Sequence, residues 1–137
     1  MKTESTKNPI EAEKEYLAKK REGIREYFQT RMWNMSWQAR EKFDQPGYRV
    51  EITGSRIQDG DGHIAEKAGI NWSACGTQDT ATARKFAEAL NEAVAMADEY
   101  NAEREFILTR LHAEEQRLAD KAREAENQEW GDNPEDR

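Results

Sequence analysis

Trp33 and Trp37 stand four residues apart in a helical stretch, with Tyr27 and Arg40 nearby, so two indoles share a helix face close to a guanidinium. Such a group can anchor a protein partner, because Trp, Tyr and Arg dominate binding hot spots, and it can also stack on a ligand ring or a nucleobase. Aromatic residues at helical spacing are more often packed inside a core or a subunit contact, and interior or dimer packing is the first expectation for this pair.

A second set of groups comes from two extended segments, Arg49 and Arg56 from one and Asn71, Ser73 and Cys75 from the other. On a sheet face roofed by a second copy, arginine forks and these polar groups could hold a nucleotide or another small anion. Ordinary polar sheet surface accounts for the same residues. Asp59, Asp61 and His63 alternate in a Gly-rich loop over residues 58–67, but Ile70 stands where a calcium loop of the EF-hand type needs its final Glu. The loop reads as a solvated turn, and no metal is assigned. Lys19, Lys20, Arg21, Arg25, Arg31 and Arg40 make a basic run, yet Glu15, Glu22 and Glu26 are interleaved at pairing distance along a helix. That run reads as a solvated face rather than a nucleic-acid site.

For catalysis the inventory is thin. Cys75 and His63 fall in different elements, His112 sits in a charged helix, and no phosphate loop, dinucleotide fingerprint, nucleophile elbow or paired-Cys pattern is present. No catalytic residue and no cofactor is assigned, and the chain is read as a non-enzyme.

The elements that must position these groups follow from periodicity. Asn8, Pro9 and Glu11 supply a cap, a first-turn proline and a capping-box acid. Ile10, Leu17 and Ile24, then Phe28, Met32, Met35, Ala39 and Phe43, draw one apolar stripe, which predicts a helix to about Phe43. Asp44-Gln45-Pro46-Gly47 stops it. Tyr48, Val50 and Ile52 alternate with Arg49, Glu51 and Thr53, and Ile70, Trp72 and Ala74 alternate with Asn71, Ser73 and Cys75, predicting an antiparallel hairpin. Thr77 or Asp79 then caps a second helix, expected to run to about Asn127. Its stripes are Phe86, Ala93, Tyr100, Ile107 and Leu90, Ala97, Leu111, Leu118, Ala125, with Arg104 as the polar interruption and Asn101 as the place for a break.

The predicted fold is therefore α+β: a long helix, a β-hairpin and a very long helix, the helices pairing antiparallel and capped by a two-stranded sheet. Residues 1–137 form a single elongated domain, with 1–8 and 128–137 as disordered tails. Helix one is the shorter, so it is expected to cover helix two only to about residue 113. The overhanging Leu118 and the unpaired hairpin edges predict a homodimer or higher homo-oligomer.

Composition sets the frame for function. Of the residues, 36% are charged and 36% hydrophobic, with a net charge of -7. Mean hydropathy is -1.14. No apolar run is long enough to cross a bilayer, and Met1 to Lys7 lacks the apolar core of a signal peptide, so a cytoplasmic protein without a membrane role is expected. The lone Cys75 excludes an internal disulfide. The first third of the chain is slightly basic and the last third strongly acidic, which disfavours nucleic acid as a partner, since phosphate is bound by Lys and Arg.

The run Gly69-Ile70-Asn71-Trp72-Ser73-Ala74-Cys75-Gly76-Thr77, leading into Ala83, Phe86-Ala87, Ala89-Leu90 and Ala93, resembles the strand-to-helix unit of small accessory proteins carried by phages and mobile elements. It covers residues 69–93 alone and assigns no residue a role. The resemblance implies a habitat in which compact acidic proteins block host machinery by binding it. The expected function is thus a non-enzymatic protein-interaction module, a phage-type acidic inhibitor or adaptor using Trp33, Trp37, Tyr27 and Arg40. The alternatives are an oligomeric binder that sequesters a nucleotide or small anion through Arg49, Arg56, Asn71 and Ser73, and a structural assembly subunit.

Overall fold

Asn8 opens the first helix as the sequence predicts: its side-chain oxygen accepts from the Glu11 N–H at 2.8 Å, filling one of the donors a helix start leaves free. The computed structural model describes residues 8–55 and 67–131, so Arg56 and the Asp59, Asp61 and His63 loop lie outside the described residues. α1 runs Pro9–Phe43. It is followed by β1 (Asp44–Gln45), β2 (Tyr48–Ser55), β3 (Lys67–Ala74) and α2 (Thr80–Gly131).

The sheet is antiparallel with three strands in the order β1-β2-β3, one more than the expected hairpin. The added strand comes from the residues that stop α1. Pro46 presets its φ and Gly47 adopts φ +96, a pairing suited to a type II turn, which brings Gln45 opposite Tyr48 and Asp44 opposite Arg49. Turns of that hand splay their strands, and β1 ends after two residues.

α2 begins where Asp79 caps it, its carboxylate accepting from the Thr82 N–H at 2.7 Å. Of the two caps the sequence offered, Asp79 is the one used, and that bond holds its carboxyl below the ordinary range. The helix continues through Asn101 without interruption and on to Gly131, beyond the expected end near Asn127.

The chain divides into two compact units, residues 24–106 and residues 1–23 with 107–137. In the first, the sheet face of Tyr48, Val50 and Ile52 is buried together with Phe28, Ala39 and Phe43 of α1 and Ala89, Ala93, Ala97 and Tyr100 of α2. Phe28 meets Tyr100 edge-on with ring centroids 5.5 Å apart. Phe86 stacks on Tyr48 and also touches Trp72, so the first turns of α2 lie on the sheet. Arg104, expected as a polar interruption in the stripe, is only 3% exposed.

In the second unit the buried residues are Leu17 of α1 and Leu108, Leu111 and Leu118 of α2. Charge frames them. Lys20 bonds Glu114 at 2.7 Å, Arg21 grips Glu115 with two bonds, and Lys121 lies 3.6 Å from Glu13. The expected overhang at Leu118 is therefore absent: Leu118 is buried at 7%, and α1 reaches Lys121. The sequence count assumed that pairing begins at the first turn of α2, whereas that turn is given to the sheet and the matching positions shift toward the C-terminus.

Candidate functional site

Within the unit 24–106, Trp33 and Trp37 are not interior residues. They are 68% and 50% exposed, because the stripe through Phe28, Met35, Ala39 and Phe43 takes the core side of α1 and leaves these two beside it. Their rings are parallel within 4° with centroids 6.2 Å apart, as side chains one turn apart on a helix permit. A shallow cleft of about 320 Å³ runs between this ridge and β2, lined by Trp33, Ser36, Trp37, Arg40, Glu51 and Thr53.

The Ser36 hydroxyl floors the cleft by donating to the Ile52 carbonyl at 2.6 Å. That carbonyl points away from β3, so the serine satisfies an edge acceptor of β2 and ties α1 to the strand. Arg40 has no hydrogen-bond or ion-pair partner among the described residues, and neither has Glu51. The cleft thus presents two indole faces, one unpaired cation and one unpaired anion. It combines apolar anchors with a polar rim, and its Ser36 hydroxyl is bonded to a backbone carbonyl.

Tyr27 stands apart from this group. Its hydroxyl donates to the Glu103 carboxylate at 3.0 to 3.1 Å, and Arg31 Nε approaches the same carboxylate to 2.8 Å. The Arg31 contact is an ion pair rather than a hydrogen bond, since its N–H is angled off the line to the oxygen. Burial, and then the Glu103 bond, push the Tyr27 phenol above its ordinary range. Tyr27, Arg31 and Glu103 form a clasp between helices within their unit, while Arg40 joins the tryptophans.

The sheet face opposite to Tyr48, Val50 and Ile52 carries the anion-binding candidates. Arg49 lies directly opposite Ser73, and Glu51 opposite Asn71. Arg49, Ser73 and Cys75 share a cleft of about 240 Å³ with Asp44, whose carboxylate is 3.5 Å from Arg49 Nε. That carboxylate offsets part of the guanidinium's charge and opposes a bound anion. Asn71 does not line this cleft.

Two features escaped the sequence reading. The Asn101 side chain accepts from the Ala68 N–H at 2.8 Å and donates to the Ala68 carbonyl at 3.1 Å, so it pairs with β3 as a neighbouring strand would. The signal was present, since Asn101 continues the line of Ala93 and Ala97, and an amide on a buried line needs partners. Trp72 shares the face of Val50 yet is 58% exposed, because Phe86 covers it on one side only.

Among the described residues no helix is long and apolar enough to cross a membrane. No group of three or more His, Cys, Asp or Glu gathers there as a metal site. No family model matches the chain, and no curated protein or solved structure matches it.

Proposed function

We propose that this chain is a non-enzymatic protein-interaction module, an acidic inhibitor or adaptor of the kind phages carry, which binds and blocks a host protein in the cytoplasm. The observation that carries the reading is the ridge of Trp33 and Trp37, two parallel indoles at 68% and 50% exposure beside Arg40, which has no ion-pair partner among the described residues. Burying one large aromatic side chain contributes on the order of 1.5–3 kcal/mol, and a monomer that leaves two of them side by side in water forgoes that stabilisation. A partner would recover it.

The module works as a homodimer or higher homo-oligomer, with its acidic last third turned toward basic surface on the partner and away from nucleic acid. Anion sequestration remains the weaker reading, since Arg49 is engaged by Asp44. The test is capture from host lysate followed by an activity assay of the captured protein. Wild type retains a host protein and inhibits it, and Trp33→Ala with Trp37→Ala loses both effects by at least about tenfold, as for hot-spot truncation. Equal retention by the double variant, or no protein retained, overturns the reading.

A further inference from the structure

We infer that β3 pairs edge to edge with β3 of a second copy, antiparallel and centred on Trp72. This gives an interface to the homo-oligomer of the reading above and rests on that part of it alone.

The backbone of β3 alternates between two sides. Cys75 N–H donates to the Gly47 carbonyl, which puts the odd-numbered residues of the strand on the β2 side. Asn101 takes both backbone groups of Ala68, which puts the even-numbered residues on the outer side. Ala68 is thereby satisfied. Ile70, Trp72 and Ala74 have no backbone partner on that side among the described residues.

This open stretch carries none of the devices that keep strand edges apart. It contains no charge from Ala68 to Cys75, no proline and no bulge in its register with β2. It is also self-complementary. Asn101 closes the edge at one end and the Gly47 bond turns the chain inward at the other, so the free residues are symmetric about Trp72. In a two-fold antiparallel pair Ile70 faces Ala74 of the partner subunit, Trp72 faces Trp72 of the partner subunit, and each such pair exchanges two backbone hydrogen bonds. A foreign strand would have to match that short, uncharged length, whereas a second copy matches it by symmetry. Neutrality matters here because two chains of net charge -7 repel each other on the whole. The exposed side of each Trp72 ring then meets its counterpart, covering what Phe86 leaves open.

One strand edge is a small interface, so the dimer is weak and concentration dependent. The experiment is sedimentation of the full chain over about 10 to 500 µM, a range suited to small interfaces. The expected result is a mass rising from 15.9 kDa toward twice that value. Ala74→Pro removes only an outward N–H and spares the bonds to β2, and Trp72→Lys sets like charges face to face. Each weakens dimerisation at least about tenfold, on the scale of a lost charge match or hydrogen-bond pair. Trp33→Ala with Trp37→Ala dimerises as wild type. A mass that stays at one copy or grows past two overturns the inference, as does wild-type dimerisation by either edge variant or its loss in the Trp33 and Trp37 variant. A monomeric wild type that still captures a host protein through Trp33 and Trp37 would sink this inference and leave the docking ridge standing.

Discussion

The two compact units are held by different forces, although each contains a stretch of α1 and of α2. The unit 24–106 relies on large aromatic rings against a sheet face, on small alanines that let α2 approach, and on side chains that satisfy strand edges, with the Arg31–Glu103 and Lys42–Glu92 ion pairs added around that core. The unit of residues 1–23 with 107–137 has, among the described residues, only leucines at its centre and a frame of cross-helix ion pairs. Aromatic burial tolerates salt and pH, whereas partly exposed ion pairs are screened and titrate. The exposed tryptophans belong to the first kind of unit, so their ridge stands beside a core whose burial of rings responds little to salt and pH.

That contrast is broken most severely at Phe28. Its side chain is 0% exposed and braced on Tyr100, so Phe28→Ala leaves a cavity and costs about 3–5 kcal/mol. Denaturant titration measures the loss, and hydrogen exchange locates it. Amides of 24–106 should lose protection while those near Leu111 and Leu118 keep theirs. Equal loss in both places would mean that the units share one cooperative transition.

The next effect is local to the sheet. Asn101→Leu leaves the N–H and carbonyl of Ala68 without their partner and destabilises by about 1–3 kcal/mol. The Ala68 amide should exchange markedly faster while the buried amides of β2 hold. Unchanged exchange at Ala68 would show that water replaces the asparagine at no cost.

Asn101 also marks where sequence reasoning stops. The cap at Asn8, the end of α1 at Phe43, both alternating strands and the Asp79 start are all legible, because each is decided by neighbours within a few residues. β1 is hidden, since Asp44-Gln45 carries no strand propensity and becomes a strand only through the turn that follows it. The Asn101 partner lies 33 residues away, beyond any local pattern. For Trp33 and Trp37 the spacing fixed a shared face but not whether that face is buried. Their exposure depends on how wide a stripe the sheet can cover, which only the packing of Phe28, Met35 and Ala39 decides.

The smallest effect tests the ion-pair frame. The hydrogen bond from Lys20 holds the Glu114 carboxyl below its ordinary value of 4.5 and, with Glu114 as acceptor, raises the Lys20 ammonium above 10.5. A depressed carboxyl contributes stability that is present above its unfolded value and is lost as pH falls through its folded one. A raised ammonium contributes stability that is present below its unfolded value and is lost as pH rises through its folded one. The pair therefore supports its unit between about pH 4.5 and 10.5 and weakens outside that window. Asp79 softens the other unit in acid in the same direction, since its carboxyl also lies below the ordinary 3.8, but through bonds to the backbone that salt screens little. Lys20→Met should reduce the depression of Glu114, to which Arg117 and Arg110 also contribute, read from its carboxyl chemical shift across an acid titration, and leave that of Asp79 untouched. Raising the salt in wild type should reproduce part of the change at Glu114 and little at Asp79. If salt moved both equally, the two units would not differ in how they are held.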